Sequence, residues 1–320
     1  MAVKIFYASD VHGSEVCFRK FVNAAKAYKV DVLVLGGDIT GKALVPVVEE
    51  GAARGGGVYR AELFGKVWEA KGEAELEKVL SAIRASGFYA VVMDRGEYEK
   101  VVSSPQLVSE LFDKAMAETV RSWVKLAEER LKGAGVEVYI MPGNDDRFVI
   151  DEALAESSLV VNPDGRVIEI KGGLKLVSLG ASNPTPWRTP RELPEEEIYK
   201  RLSRLVEEAG DPSSTILNVH APPHGTILDL APLLDSELKI VRRSGEVEMV
   251  HVGSTAVRKV VEEFQPLAGL HGHVHESKGV AKVGRTLCFN PGSDYSSGAL
   301  RGVLLVVEPG KVKSYMFTYG

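Results

Sequence analysis

The chain opens on a short apolar run, Val3 to Ala8, that stops at Ser9 and Asp10, as a buried strand delivering a loop would. From Val16 to about Tyr28 the period changes, and Phe18, Phe21, Val22 and Ala25 fall on one face of a helix. A second apolar run, Val32 to Leu35, leads into Gly36, Gly37 and Asp38. Strand, helix and strand in that order predict a parallel α/β sheet.

The alternation is then interrupted. Residues 41–57 are Gly-rich and contain Pro46, residues 58–68 read as strand, and helical patterns follow at Glu73 to Ala85 and Pro105 to Lys132. The next strand, Val136 to Met141, comes later than one crossover requires. This predicts a mixed insertion, residues 41–133, capping one edge of a single domain that spans 1–320. Strand-loop units then return at Leu174 to Leu179 and Ile216 to Val219, around a helix from about Pro194 to Glu208. A helix at Thr255 to Phe264, with Ser254 as its N-cap, precedes the apolar Leu267 to Leu270 and closing strands at Gly302 to Val307 and Val312 to Phe317. The Pro-rich residues 183–194 read as a loop.

Composition adds boundaries rather than detail. With 45% hydrophobic and 26% charged residues the chain is of ordinary globular type. No apolar run reaches membrane-spanning length, and the opening MAVKIFYAS, broken by Lys4, is unlike a signal peptide; a cytoplasmic location without a membrane partner is expected. Cys17 and Cys288 lack the spacing of a zinc site and read as reduced, structural thiols. A formal charge of −5 disfavours long nucleic acid as a partner, without excluding a local basic patch. Gln106 and Gln265 are the only glutamines, a depletion of thermolabile amides that points toward a thermophile.

The chemistry sits where the predicted strands end: Asp10-Val11-His12, Gly37-Asp38, Gly143-Asn144-Asp145-Asp146, His220 and Gly272-His273-Val274-His275. Any one of these is an ordinary turn. Together they matter because the carboxyl ends of strands in an open α/β sheet line one crevice. Imidazole and carboxylate donors suit manganese, iron, nickel, zinc or cobalt rather than calcium, and seven donors exceed one tetrahedral ion but fit two divalent metals sharing a carboxylate. Such a pair lowers the pKa of a bound water and offsets phosphate charge. The glycines beside Asp38, Asn144 and His273 permit sharp turns and are expected to leave room for the phosphate.

This ordered set resembles the calcineurin-like metallophosphoesterase superfamily over nearly the whole chain apart from the insertion. Asp10-Val11-His12-Gly13 and Asn290-Pro291-Gly292-Ser293 are most similar to its small prokaryotic phosphodiesterase branch. The resemblance implies a two-sheet β-sandwich flanked by helices. It also implies hydrolysis of a small phosphate ester, a diester before a monoester, by a hydroxide bridging two metals. Motif by motif, it implies that Asp10, His12 and His275 hold one metal, that Asn144, His220 and His273 hold the other, and that Asp38 bridges.

The pattern departs at Asp145, where many family members carry a His that protonates the leaving oxygen. A carboxylate beside two cations stays ionised and donates poorly. Three sources of the proton remain open: His224, metal-bound water, or a leaving group that needs none. Asp145 and His224 are the candidate catalytic side chains. Arg147 is open between a substrate contact and a surface ion pair, Ser293 between the site and a plain turn, and Trp187 between a substrate wall and local packing. His271 and His251 read as structural.

Rival functions fail on particular residues. Gly36 to Lys42, GGDITGK, matches the core of a phosphate-binding P-loop, but Ala43 stands where Ser or Thr should bind magnesium and Pro46 interrupts the helix that should follow. A metal-binding, non-catalytic scaffold is disfavoured because every expected ligand position is filled. Ile39-Thr40-Gly41 lacks the continuation resembling Ser/Thr protein phosphatases. Substrate choice falls to the insertion and to residues 183–194.

Overall fold

The computed structural model describes residues 2–53, 56–63 and 65–320; Arg54 and Gly55, in the Gly-rich stretch, and Phe64, in a range expected to be strand, lie outside the described residues. The chain begins β1 (Val3–Ala8), α1 (Glu15–Tyr28), β2 (Val32–Gly36), and then makes an excursion: β3 (Leu44–Ala53), β4 (Gly56–Leu63), β5 (Lys66–Lys71), α2 (Glu73–Ala85), β6 (Tyr89–Asp94) and α3 (Arg95–Val102). Helix α4 (Pro105–Leu131) leads back to β7 (Glu137–Met141), α5 (Val149–Ala155) and β8 (Val160–Val161). The second half runs β9 (Val167–Ile170), β10 (Leu174–Leu179), α6 (Glu195–Ala209), β11 (Thr215–Val219) and four short strands, β12 (Leu230–Pro232), β13 (Arg242–Arg243), β14 (Glu246–Val247) and β15 (Met249–His251). It ends with α7 (Thr255–Phe264), β16 (Ala268–Leu270), β17 (Gly279–Val283), β18 (Thr286–Asn290), β19 (Arg301–Glu308) and β20 (Lys311–Tyr319).

Two six-stranded sheets form the core, in the orders β20-β19-β1-β2-β7-β8 and β17-β18-β16-β11-β10-β9. Their central strands are parallel and buried on both faces, which is why they read as mostly apolar runs. Successive side chains face opposite layers. Tyr7, Val34 and Tyr139, in register across β1, β2 and β7, meet Leu176, Ile216 and Leu270 of the other sheet. Their neighbours Phe6, Leu33 and Val138 face α1, α4 and α5. On the far side Val177, Leu217 and Cys288 meet α6 and α7. The result is the expected α/β sandwich, helices outside two stacked sheets. Ser254 caps α7 as expected, its hydroxyl accepting from the Val257 amide.

The excursion differs from the pattern read along the chain. The Gly-rich stretch, to which no element was assigned, contributes β3, which pairs with β4 and, in parallel, with β6 to give a separate sheet ordered β5-β4-β3-β6. Pro46 fits because β4 begins to pair only at Val47, so the missing N–H meets one ladder at most. This sheet has its own apolar centre, Val45, Val47, Ala61, Leu63 and Ala70 against Val79 and Ile83 of α2. Helix α4, expected within the insertion, buries Met116, Val120, Trp123 and Val124 against the main sandwich instead. Trp123 stacks on Phe18 at 4.3 Å, and burying a side chain of that size contributes about 1.5–3 kcal/mol. Among the described residues no helix is long and apolar enough to cross a membrane.

Candidate metal centre

The strands that end in polar residues end side by side. Asp10 follows β1, Asp38 follows β2, Asn144 follows β7, His220 follows β11, and His273 and His275 follow β16. Their backbones turn sharply: Asp10, His12, Asp38 and His273 have φ of 57°, 41°, 50° and 67°, a region non-glycine residues seldom enter and one concentrated at functional sites. Main-chain bonds hold the turns together. Asp10, His12 and Gly13 donate to the carbonyls of Gly37, Asp38 and Ile39, and Gly272 donates to that of His220.

The expected ligands form two adjoining groups. Asp10, His12 and His275 bring one donor atom each within 4.8 Å of one another, and so do Asp38, His220 and His273. In the first, His12 Nε2 lies 3.0 Å from His275 Nε2, which is 3.4 Å from Asp10 Oδ1. In the second, His220 Nε2 lies 3.4 Å from Asp38 Oδ2. Asn144 joins that group, its Oδ1 2.8 Å from His273 Nδ1 while its amide donates to Thr189 at 2.9 Å. Asp38 Oδ2 is also 3.7 Å from His12 Nε2, so this carboxylate stands between the groups.

The donor set fits divalent metals. His220 donates Nδ1–H to the Gly36 carbonyl at 2.9 Å, which leaves Nε2 aimed at the carboxylates, buried and without a hydrogen-bond partner. Fixing one ring nitrogen so that the other presents its lone pair is how metal-binding histidines are held. His12 Nδ1 is likewise buried without a partner. Asp10, His12, Asp38, Asn144 and His220 are almost wholly buried, so their charges cannot rely on water.

The protonation pattern follows from this crowding. Burial works to raise Asp38, but the charge of His220 holds it well below the usual carboxylate range. Asp10 is also lowered, against burial, by its hydrogen bond with His275 and the charge of His220. His220 rises to about 10 in spite of burial, because Asp38 and Asp10 stabilise its cation. Burial, then the charge of His220, lowers His273 to about 4. His12 is held well below its ordinary value by burial and Lys42. These shifts favour positive charge among the carboxylates, the electrostatic role that a metal cation would fill.

Gly37 turns the backbone as expected, with φ 114°, and the glycines also serve a second purpose. A Cβ on Gly37 would fall 2.4 Å from His220 Nδ1, on Gly143 2.3 Å from Asp38 Oδ1, and on Gly272 2.3 Å from Asp10 Oδ2. The space they leave is already filled by ligands from neighbouring strands.

Of the two catalytic candidates, Asp145 adjoins the cluster and His224 does not join it. Asp145 Oδ2 is 3.9 Å from His12 Nδ1 and 3.2 Å from Lys42 Nζ, and its amide donates to Asp38 Oδ1 at 2.9 Å. Burial and then Asp38 push its carboxyl up, with Lys42 opposing; the depression expected of it requires the charge of cations. His224 lies beside His251, ring centroids 5.7 Å apart, with Nδ1 3.6 Å from the buried carboxylate of Asp229. His251 itself bonds Asp229 at 2.8 Å. His271 is buried with Nδ1 against the Val219 and Ala221 carbonyls. Arg147 pairs with Asp113 at 3.0 Å, Trp187 is exposed, and Ser293 donates to the Asp10 carbonyl at 2.6 Å, securing that turn.

Sequence reasoning passed over Asp146. Its buried carboxylate accepts from the amides of Ile39 (3.0 Å), Thr40 (2.8 Å) and Gly143 (2.7 Å) and from the Thr40 hydroxyl, binding the Asp38 loop to the Asn144 loop. Burial and then Asp38 raise it to about 6. The Asp doublet was a visible signal without a direction. Arg191 braces the same turn, donating to the Asp146 carbonyl at 2.7 Å. Asn290, noted only through the resemblance, donates to the carbonyls of Gly272 and Val274 and so clamps the His273 loop. After Lys42 comes a strand, not the helix a P-loop requires.

An α/β sandwich with Asp and His gathered at the carboxyl ends of its strands presents donors suited to divalent metals. The chain belongs to the calcineurin-like phosphoesterase family, which matches residues 3–277. It is 36% identical over 159 residues to the uncharacterized protein MJ1162 of Methanocaldococcus jannaschii, a match covering 49% of this chain and 64% of that protein. TT1561 of Thermus thermophilus shares the fold, with a TM-score of 0.54 at 14% identity over 96% of this chain and 99% of its own.

Proposed function

We propose that this chain hydrolyses a small phosphate ester, a phosphodiester in preference to a monoester, at a centre for two divalent metals. The observation that carries the proposal is the pair of donor groups meeting at Asp38. Asp10, His12 and His275 would hold one ion and Asn144, His220 and His273 the other, with Asp38 shared. Bound there, the ions would acidify a water and neutralise phosphate charge. The chain's own residues do the rest. Asp146 and Arg191 fix the Asn144 turn, Ser293 fixes the Asp10 turn, and the Thr189 hydroxyl orients the Asn144 amide so that its oxygen faces the centre. The preference for a diester rests on the likeness of the Asp10 and Asn290 motifs to the small phosphodiesterase branch.

The test is hydrolysis of bis(p-nitrophenyl) phosphate and p-nitrophenyl phosphate by metal-stripped protein, with manganese, nickel, zinc or magnesium returned singly. Metal-dependent cleavage favouring the diester is expected. Binding of two ions with no cleavage of either ester would sink the hydrolase reading and leave a metal-binding scaffold.

A further inference from the structure

We propose that Tyr295 is a positioning residue for the first metal: its ring orients His12 and His275, and the inserted sheet holds that ring in place through the α2–β6 turn. The proposal rests on the two-metal reading above and adds to it a role for the insertion.

The two donor groups are braced differently. In the second, the Gly36 carbonyl orients His220 and Thr189 orients Asn144, hydrogen bonds that come from the sandwich's own loops. His12 has no such bond. Its Nε2 faces His275 and Asp38, and among the described residues its buried Nδ1 has no hydrogen-bond partner, Asp145 Oδ2 being 3.9 Å away. Metal-binding histidines are commonly held by a hydrogen bond to the second ring nitrogen. Here an aromatic ring stands in its place: Tyr295 packs on His12 with centroids 4.7 Å apart and meets His275 edge-on at 5.9 Å. One side chain thus sets the angle between two ligands of the same ion, whose Nε2 atoms lie 3.0 Å apart.

Tyr295 is pinned from two sides. Its carbonyl accepts from the Cys17 thiol of α1 at 4.0 Å. From the other side the α2–β6 turn closes on it, where a Cβ on Gly87 would fall 3.0 Å from the Tyr295 ring and 2.4 Å from the His12 carbonyl. The same turn meets the rest of the loop after β1: a Cβ on Gly13 would fall 3.2 Å from the Gly87 carbonyl, and the Ser14 hydroxyl donates to the Ala85 carbonyl at 3.3 Å. Gly41, which leads into the insertion, donates its amide to the Tyr89 hydroxyl at 2.8 Å, and its own Cβ would fall 2.4 Å from the Gly87 carbonyl. Backbones packed this closely transmit displacement instead of absorbing it. A shift of the inserted sheet therefore reaches His12 and His275 before the ligands of the second ion.

The experiment titrates manganese calorimetrically into metal-stripped wild type, Tyr295→Ala, Tyr295→Phe and Gly87→Ala, each shown to be folded by its urea midpoint. Gly133→Ala, also at positive φ but with open space around its Cβ, controls for backbone strain. Wild type should take up two ions. Tyr295→Ala should weaken one of them roughly ten- to a hundredfold, the usual cost of losing a group that orients a ligand, and leave the other unchanged. Tyr295→Phe should recover the loss because the ring does the packing, Gly87→Ala should weaken the same ion, and Gly133→Ala should weaken neither. Two unchanged ions in Tyr295→Ala, equal weakening of both, or a Tyr295→Phe protein no better than Tyr295→Ala would each overturn the proposal. Wild type that takes up no manganese would overturn it together with the two-metal reading. If the variants behave as expected and wild type cleaves no ester, Tyr295 keeps its role and the hydrolase reading alone is lost.

Discussion

Replacing Gly143 by alanine tests whether the metal loops touch. The new Cβ would fall 2.3 Å from both the amide nitrogen and Oδ1 of Asp38, and 2.9 Å from its Cγ. Carbon contacts settle near 3.5–4.0 Å, so Asp38 and the Asn144 turn must part by about 1 Å. Gly143 is not among the glycines with positive φ, so the substitution brings no backbone strain and its cost is steric. Parting the loops disturbs the bonds that cross between them, Ile39 N–H and Thr40 N–H to Asp146 at 3.0 and 2.8 Å and Asp145 N–H to Asp38 at 2.9 Å. Overpacking of this kind costs about 1–3 kcal/mol of stability. A misplacement of about 1 Å at reacting groups costs on the order of 10²-fold in rate. The assay is kcat/KM on bis(p-nitrophenyl) phosphate with metal content and urea midpoint measured alongside. Gly96→Ala, in the first turn of α3 with only the Asp94 side chain nearby at 3.3 Å, serves as the control and should leave activity unchanged. Gly143→Ala with full metal content and activity within about threefold of wild type would refute the reasoning.

Asp146→Ala should cost roughly 3–9 kcal/mol in urea unfolding, because three buried amides lose their acceptor at about 1–3 kcal/mol each; a loss under about 1 kcal/mol would show that the turn does not depend on it. In metal-stripped protein the His220 pKa, raised to about 10, contributes stability that is fully present below its ordinary 6.5 and disappears as pH climbs toward 10. Stability of the stripped protein should therefore fall across that window and His220→Gln should flatten the fall; an equal slope in both proteins would assign it to other groups. His224→Ala should leave hydrolysis of an alkyl phosphodiester unchanged, since its imidazole neighbours Asp229 and His251; a loss that grows with leaving-group pKa would make it the proton donor after all.

Much of the sandwich was legible along the chain, because a strand buried on both faces is apolar at most of its positions. Val3 to Ala8 and Val32 to Leu35 declare themselves in that way, and the helical face of Phe18, Phe21 and Val22 follows from its period. The polar fragments were legible too, as sequence breaks that all fall at strand ends. Residues 44–53 were not: their strand exists because β6, far along the chain, offers a ladder, and such pairing overrides a Gly- and Pro-containing composition. The apolar stripe of α4 showed that it is buried without showing against what.

Sequence by itself therefore determined the layer architecture, the family likeness and the residue types gathered at the strand ends. Only the tertiary structure decided how neighbours divide their roles: Asp145 turns to Lys42, while Asp146, one residue on, is buried under four donors. The same holds for Gly37, Gly143 and Gly272, whose missing side chains make room for ligands from other strands. Periodicity records what each residue faces relative to its own element. Which distant segment occupies that face depends on closure of the whole fold, and no local pattern carries it.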